Sequence, residues 1–298
     1  MMESNKDNNN KLNSRNVTED VYYLRKSLYK SMGYDDDDLN RPLIAIANSW
    51  NELLPGHKHL RELAKSVKAG IWQAGGMPVE FNHIAPCDGM ADGNPGMHWI
   101  LPSRDIIAAS IEMMVQASRV DGIIALSTCD KIVPAQLMAL ARINVPSIMV
   151  TGGYMLPGRF QGKDNINVGH VTELYADWKE GKLNDDEYND LNNSACPTVG
   201  ACSLMGTANT FCSIAEALGM SLPGNATTAA VDAALPRLAR HAGRQIVSLV
   251  EKNIKPSDIM TKKAVENAVM VHSAIGGSTN ALIHIPAILD ELDLEIPL

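Results

Sequence analysis

The feature that most constrains the fold of this chain is a repeated order of apolar run, loop and helix-like segment. Short apolar runs typical of buried strands occur at Leu43–Ala47, Val79–Ala85, Gly122–Ser127 and Ser147–Thr151. No hairpin-turn signals separate them, so successive strands are expected to pair in parallel through helical crossovers. The sequence therefore predicts an α/β fold with a doubly wound, mainly parallel sheet that is flanked by helices.

The segments between and after these strands carry apolar residues at helical spacing. One helix is predicted from His57 to Ala74, and another begins at Ser103, which is a good N-cap residue. Pro134 fits the first position of a third helix. The polar stretch 164–193 predicts surface helices, and the later pattern predicts helices up to Leu218, from about Leu235 to Val250, from Thr261 to Ala274, and to about Leu292.

Charge and composition exclude several classes of partner and location. The formal net charge is −8 and no block of Lys and Arg occurs, which argues against nucleic acid and anionic membrane as partners. No apolar run reaches the ~18 residues of a membrane span. The start of the chain is rich in Asn, Lys and Ser, so residues 1–20 are predicted to be a disordered tail and not a secretory signal. A cytoplasmic location is the resulting expectation.

Polar and glycine-rich loops follow the predicted strands directly. They are Asn48–His59, Pro86–Gly96, Thr128–Lys131 and Gly152–Gly153. Ligands of open α/β sheets bind at the carboxyl ends of the strands. These loops are therefore expected to form one common site.

The tripeptide Cys129-Asp130-Lys131 places a thiol, a carboxylate and a lysine on consecutive residues of one such loop. Thiolates suit iron–sulfur clusters or zinc, and carboxylates suit magnesium. The alternative is a buried cysteine beside a surface ion pair. The chain has five cysteines, an odd number that favours metal binding, catalysis or burial over a disulfide framework.

Other candidate ligands are individually weaker. Cys196 and Cys202 lie just before a predicted helix, at a spacing that matches neither the zinc knuckle nor the ferredoxin pattern. Asp88 follows a strand and is either a metal ligand or a turn residue. His57 and His59 are either ligands or helix-start residues. Each of these alternatives stays open on the residues alone.

Two glycine-containing loops are candidates for substrate contact. Gly152 and Gly153 could bring bare backbone amides to an anionic group, and so could the segment Gly276-Gly277-Ser278-Thr279-Asn280. Simple turns and caps explain both loops equally well. The candidate substrate residues are therefore Gly152, Gly153, Ser278 and Thr279.

Taken together and in order, several segments resemble the family that contains dihydroxy-acid dehydratase, phosphogluconate dehydratase and the aldonate (sugar-acid) dehydratases. The resemblance runs from about Pro42 to His284. The matching segments are PLIAIANSWNELLPGHKHL, EFNHIAPCDGMADGNPGM, LPSRDIIAASIE, CDKIVPAQLMALARINVPSIMVTGG, ACPTVGACSLMGTAN, EALGMSLPGN and ENAVMVHSAIGGSTNALIH.

The resemblance implies a set of ligands. Cys129 and Cys202 match the cysteines that bind the family's iron–sulfur cluster, of the 2Fe-2S or 4Fe-4S type. Asp88 and Asp130 match magnesium ligands, and Lys131 matches a lysine that binds magnesium as its carbamate. The modification is chemically reasonable, because an ammonium group cannot ligate a cation whereas a carbamate supplies hard oxygen.

The chain departs from the family pattern in two respects. Many relatives have a third cluster cysteine after the proline of the first loop, where this chain has Gly56; Cys87 and Cys196 are the candidates to contribute instead. The family chain is also longer, and its C-terminal domain, similar to a β-barrel, carries a further magnesium carboxylate and the serine base. Residues 21–298 are thus expected to be the N-terminal iron–sulfur and magnesium domain, with no catalytic base before Leu298.

The implied function is a hydro-lyase that removes water from a 2,3-dihydroxy carboxylate to give a 2-keto acid. Dihydroxy-acid dehydratase of branched-chain amino-acid biosynthesis is the main expectation, and an aldonate dehydratase acting on a sugar acid is the alternative. An iron–sulfur sensor or redox protein would not need Asp88, Asp130 and Lys131. A nucleotide-binding protein is disfavoured because no G-x-G-x-x-G or Walker loop occurs. A homodimer is expected.

Overall fold

A four-stranded parallel sheet lies at the centre of the computed structural model, which describes residues 12–295. Its strand order is β2-β1-β3-β4, and every neighbouring pair is parallel. The predicted α/β class and doubly wound parallel sheet are therefore confirmed. The strands are β1 (Leu43–Asn48), β2 (Met77–Asn82), β3 (Gly122–Ser127) and β4 (Ser147–Thr151).

Thirteen α-helices occur within the described residues. Five pack around the sheet or lead into it: α1 (Glu19–Ser31), α2 (Leu60–Gln73), α3 (Asp88–Ala91), α4 (Ile100–Ser118) and α5 (Ile132–Ile143). A surface excursion carries α6 (Val168–Glu173), α7 (Tyr175–Lys179) and α8 (Asp185–Ala195). The C-terminal helices are α9 (Thr207–Ala217), α10 (Ala234–Lys252), α11 (Pro256–Ile259), α12 (Lys262–Ala274) and α13 (Ala281–Glu291).

Each face of the sheet is covered by helices, which is why its strands are apolar on both faces. Ile44 and Ile46 of β1 point to one side, where they pack in a cluster with the apolar stripes of α2 and α10. Ala45 and Ala47 point to the other side, towards α4, α5, α9 and α13. The small alanine side chains on that face allow the helices to approach the sheet closely.

Two glycines set the distance between α2 and α10. A Cβ added at Gly70 would lie 2.1 Å from the carbonyl oxygen of Arg240, and one added at Gly243 would lie 2.3 Å from that of Val67. No side chain larger than hydrogen fits at either position without moving a helix. The contact fixes α2, whose N-terminal end adjoins the candidate site.

The described part of the N-terminal segment contacts the main body of the chain. Ser14 donates two hydrogen bonds to the carboxylate of Asp121, through its backbone N at 2.8 Å and its Oγ at 2.7 Å. Asp121 also accepts from the backbone N of Leu43 at 2.7 Å. Helix α1 begins at Glu19, inside the range 1–20 that was predicted to be disordered. Residues 1–11 of that tail lie outside the described residues.

The surface excursion that was predicted to be helical also contains a hairpin. Strands β5 (Gly158–Phe160) and β6 (Lys163–Ile166) pair antiparallel, so the stretch 164–193 is not wholly helical. Gln161 and Gly162 connect them with φ angles of 47° and 78°. Two residues with positive φ form the type of turn that matches strand twist. The sequence Gln-Gly is a weaker signal for this turn than Asn-Gly.

Several helix and strand boundaries differ from the sequence predictions, and helix α2 begins at Leu60 in place of His57. Helix α4 begins at Ile100, so Ser103 lies inside it and donates from Oγ to the carbonyl of Ile100 at 2.6 Å. Pro134 is the third residue of α5, a position tolerated because the first-turn N–H groups have no acceptor within the helix. Strand β2 covers Met77–Asn82 in place of Val79–Ala85, and Pro78 is accommodated because β2 lies at the sheet edge.

No helix within residues 12–295 is both long and apolar enough to cross a membrane. This finding agrees with the sequence, which contains no long apolar run.

Candidate active site

The loops that were expected to share a site do converge at the carboxyl end of the sheet. After β2 the chain runs to Cys87 and enters α3 at Asp88, and after β3 it passes through Cys129, Asp130 and Lys131 into α5. The loop that ends at α9 approaches from the C-terminal part of the chain. Strand β1 lies between β2 and β3, so its own loop runs between the other two.

Cysteine thiols form one half of this site. Cys129 is buried and its thiol donates a hydrogen bond to Cys87, which lowers the pKa of Cys87 to about 7. The same hydrogen bond, together with burial, raises the pKa of Cys129 well above its usual value, and Cys202 adds to this effect. Burial raises the pKa of Cys202 to about 11. The three sulfurs are therefore electrostatic neighbours.

Gly56 lies directly against this group of thiols. A Cβ added there would lie 2.6 Å from the Sγ of Cys129, closer than real Cβ contacts come. The adjacent Pro55 accepts a hydrogen bond from the backbone N of Gly200 at 3.1 Å. The loop of Cys202 is thereby joined to the loop of Gly56, and both adjoin Cys129.

Carboxylates and a lysine form the other half of the site. Lys131 is buried and its ammonium pairs with one carboxylate oxygen of Asp88. The second oxygen of Asp88, Oδ1, is buried without a hydrogen-bond partner. Burial and the charge of Asp88 raise the pKa of Asp130 to about 6, although Lys131 and the backbone N–H of Ala208 counteract the shift. Two carboxylates thus compete for the single positive charge of Lys131.

The loop of the candidate substrate residues Ser278 and Thr279 packs against the start of α9, beside Asp130. Ser278 Oγ lies 2.9 Å from Thr207 Oγ1, and the backbone N of Ser278 donates to Thr210 Oγ1 at 2.9 Å. Asn280 Nδ2 donates to Thr207 Oγ1 at 2.8 Å. Ser278 is half-buried in this network, whereas Thr279 is exposed. Substrate contact by either residue stays a prediction.

Gly152 and Gly153 lie at the end of β4, and close packing accounts for both residues. A Cβ on Gly152 would lie 2.3 Å from Thr128 Oγ1. Gly153 has a φ of 80° and its added Cβ would lie 2.7 Å from the backbone at residues 228 and 230. Their role in binding substrate stays a prediction.

Two histidines before α2 support these loops. The buried His57 accepts at Nε2 from the backbone N–H of Cys129 at 3.3 Å, and burial lowers its pKa to about 3. His59 donates from Nε2 to the carbonyl of Gly152 at 2.6 Å. Both are neutral positioning residues for the loops after β3 and β4. The sequence analysis considered His57 and His59 as metal ligands or helix-start residues. It did not predict that they hydrogen-bond to the neighbouring loops.

Sequence reasoning missed a second polar group beside Lys131. His284 is buried in α13, and Arg104 Nη1 lies 3.2 Å from its Nδ1. Burial, Arg104 and Lys131 together lower the pKa of His284 to about 3. Both residues belong to segments that resemble the family. Arg104 and His284 lie far from Lys131 in the sequence, so no local pattern indicates that they are close to it.

The remaining two cysteines differ from the group of three. Cys196 is exposed, and its thiol contributes to the raised pKa of Cys202. Cys212 is buried inside α9, as predicted, where its thiol donates to the carbonyl of Thr128 at 3.9 Å. Burial raises the pKa of Cys212 to about 12, so its thiol stays protonated.

The donor set fits the cofactors that the resemblance implies. Soft thiols lie together on one side, and Asp88 and Asp130 supply hard oxygen on the other, including one orphaned buried oxygen. Across residues 12–295 no group of three or more His, Cys, Asp or Glu side chains could hold a single metal ion. A cluster spaces its thiolates more widely than one ion does, and a magnesium ion keeps several waters.

Comparison with known proteins identifies the family. The family model described as "Dihydroxy-acid/6-phosphogluconate dehydratase N-terminal" matches residues 41–298. The chain belongs to this family. The resemblance noted from the sequence segments is therefore confirmed.

Curated relatives of this dehydratase family are about half identical to the chain. A dihydroxy-acid dehydratase of Caldicellulosiruptor saccharolyticus is 52% identical over 274 residues, which are 92% of this chain and 50% of the relative. That of Pyrococcus furiosus is 50% identical, over 92% of this chain and 49% of the relative. Dihydroxy-acid dehydratase 1 of Methanosarcina acetivorans is 50% identical over the same shares. The chain spans about half the length of the curated relatives it matches.

Proposed function

We propose that this chain forms the N-terminal part of a dihydroxy-acid dehydratase, with the branched-chain substrates of amino-acid biosynthesis. The observation that carries the proposal is the shared site of Asp88, Asp130 and Lys131 beside clustered thiols, in a chain 52% identical to a relative of that name. A purely redox or sensor protein would have no use for the paired carboxylates.

The proposed reaction needs no net electron transfer. A base removes the proton from C2 of the 2,3-dihydroxy carboxylate, and the C3 hydroxyl leaves as hydroxide, which takes up a proton to form water. The resulting enol tautomerises to the 2-keto acid. Negative charge develops on the C2 oxygen and on the leaving oxygen, so the site has to stabilise both.

Within this chain, Cys129 and Cys202 would hold the iron–sulfur cluster, and Asp88 and Asp130 would hold magnesium with Lys131 as its carbamate. When bound, the cluster supplies a Lewis-acidic iron for the leaving hydroxyl, and magnesium supplies positive charge for the substrate carboxylate and C2 oxygen.

The chain's own residues prepare the site electrostatically. The backbone N–H of Ala208, at the start of α9, donates to Asp130 and fixes the direction of that carboxylate. Lys131 neutralises Asp88 when no other cation is bound. His57 and His59 hold the loops of Cys129 and Gly152 through uncharged hydrogen bonds. Among the described residues, Lys131 is the cation that pairs with Asp88 and acts on Asp130. Within residues 12–295, no second cationic side chain competes with it there.

Product analysis tests the proposal and its alternative. The full-length protein that contains this chain, prepared anaerobically, would be given a panel of branched 2,3-dihydroxy acids and sugar acids, with keto acids detected by mass spectrometry. We expect products from the branched acids and a loss of turnover in Asp130→Asn, while the exposed neighbour variant Asp92→Asn stays active. Products from sugar acids alone would replace the proposal with an aldonate dehydratase, and no products from either class would refute it.

We also propose a homodimer in the cytoplasm. Helix α4 presents Leu101, Ile106, Met113 and Met114 to solvent, an unusual set of apolar side chains for a free surface. All five cysteines are free thiols, as expected in a reducing compartment. Light scattering of the purified protein tests the assembly, and a monomer at all concentrations would contradict it.

A further inference from the structure

The same dipeptide ends two strand-end loops of the site. Cys87-Asp88 follows β2 and Cys129-Asp130 follows β3. The ion pair of Asp88 with Lys131 joins the two loops, and Cys87 packs against the apolar cluster that contains Cys129. The charge of Asp88 also acts on Asp130. The two pairs thus converge at one place, where the charge of Asp130 also acts on Cys87 and Cys129. Cys87 directly precedes Asp88, just as the proposed cluster ligand Cys129 directly precedes Asp130.

Gly56 and Cys87 are complementary in this arrangement. No thiol is available at position 56, and a Cβ there would lie only 2.6 Å from Cys129 Sγ. A cysteine at 56 could not be added without moving the sulfur that contacts Cys87. The site therefore accommodates a thiol from the loop after β2 in place of one from the loop after β1.

The other two cysteines do not offer an equivalent thiol. Cys196 is exposed beside Leu54 and Pro55; it acts on the pKa of Cys202 and is absent from the groups that act on Cys129. Cys212 lies within a helix and donates its thiol hydrogen to the carbonyl of Thr128. Cys87 packs against the apolar cluster that contains Cys129, and among the other cysteines it has the largest effect on the pKa of Cys129.

We infer that Cys87 is the third thiolate of the iron–sulfur cluster, together with Cys129 and Cys202. The inference deepens the proposed function and rests on it, because it takes a cluster at Cys129 and Cys202 as given. Clusters of both the 2Fe-2S and 4Fe-4S types are completed by four thiolates in electron-transfer proteins. Three thiolates leave one coordination position free for a substrate oxygen.

The first test compares cluster content among cysteine variants of the protein. Each protein would be reconstituted anaerobically with ferrous iron and sulfide, then assayed for iron and acid-labile sulfide per chain and for visible absorption. We expect Cys87→Ala to lower cluster retention by at least about tenfold, and we expect the same of Cys129→Ala and Cys202→Ala. Cys196→Ala and Cys212→Ala are the matched controls and should retain the wild-type content. Circular dichroism of the cluster-free variants separates lost ligation from lost folding.

The second test needs no variant. Wild-type protein with and without cluster would be treated with iodoacetamide, and the labelled cysteines identified by mass spectrometry. We expect Cys87 to be protected only when the cluster is present, and Cys196 to be labelled in both states. A third test uses Cys87→Ser, because an oxygen ligand should restore part of the cluster that Cys87→Ala loses, with a shifted absorption spectrum.

The outcomes separate this inference from the proposed function. If Cys129→Ala and Cys202→Ala lose the cluster while Cys87→Ala keeps it, the inference is overturned and the proposed function stands. Equal labelling of Cys87 with and without cluster has the same meaning. If wild-type protein takes up no cluster at all, the proposed function and the inference both fail.

Discussion

Replacing Asp130 with asparagine should stabilise the cation-free protein at neutral pH, although the same change removes a proposed magnesium ligand. Asp130 is largely buried, faces the charge of Asp88, and has its pKa raised from 3.8 to about 6. Ionised Asp130 therefore costs free energy in the folded state that it does not cost in the unfolded state. Asparagine has no charge, and its Oδ1 can still accept from the backbone N–H of Ala208.

The magnitude and pH dependence follow from the pKa shift. One pKa unit corresponds to 1.36 kcal/mol, so a shift of about two units limits the gain to about 3 kcal/mol. Partial exposure and screening reduce the expected gain to about 1–3 kcal/mol. Because the folded pKa is raised, the wild-type protein loses stability as the pH rises from about 4 through about 6. The difference between Asp130→Asn and wild type should vanish near pH 4 and be complete at pH 7.

Urea denaturation of EDTA-treated protein at pH 4 and pH 7 measures this difference, with the exposed Asp92→Asn as control. Magnesium provides a second comparison. A cation that binds only the folded state adds about 2.7 kcal/mol at a hundredfold excess over its Kd, so the ion should stabilise wild type and not Asp130→Asn. A variant less stable than wild type at pH 7, or a difference independent of pH, would refute the electrostatic reasoning.

Three further predictions concern the support of the site and its completeness. His57→Ala leaves a cavity and the unpaired N–H of Cys129, so the free energy of unfolding should fall by roughly 3–5 kcal/mol in urea denaturation; a loss below about 1 kcal/mol would contradict the buried hydrogen bond. Gly70→Ala places a methyl group against the Arg240 carbonyl and should cost about 1–3 kcal/mol despite the better helix propensity of alanine, whereas a more stable variant would contradict the close helix contact. The 298 residues alone, reconstituted with cluster and magnesium, should form no keto acid, because a positioned base is worth roughly 10²–10⁴-fold and is expected beyond Leu298; turnover comparable to a full-length relative would show the base to be in this chain.

The buried strands and long helices could be predicted from the sequence because buried segments consist largely of apolar residues. Strands β3 and β4 have the predicted bounds, since apolar residues face helices on both sides and glycine or polar residues follow at once. The hairpin of β5 and β6 was not predictable in this way. Its strands have three and four residues, alternate little, and are joined by a turn that depends on the backbone angles of Gln161 and Gly162.

The sequence could predict only the part of the site that lies directly after the strands, because ligands of parallel sheets bind at the carboxyl ends of the strands. That rule groups Asp88, Cys129 and Asp130, which all follow strands of one parallel sheet. It does not place Cys202, whose assignment came from family resemblance. The contacts of Arg104 with His284 and of Thr207 with Asn280 join segments far apart in sequence. Packing of α9 and α13 creates these contacts, and no local pattern encodes them.

The convergence of the two Cys-Asp dipeptides also limits how these loops can evolve. Inserting or deleting one residue before either dipeptide would displace its thiol and its carboxylate together, because the two residues are adjacent in the chain. Both groups of ligands would be damaged by a single event, and a compensating change in the opposite loop would be needed to restore them. The number of residues between β2 and Cys87, and between β3 and Cys129, should therefore be constant among relatives. The surface excursion through α6, α7 and α8 can vary in length.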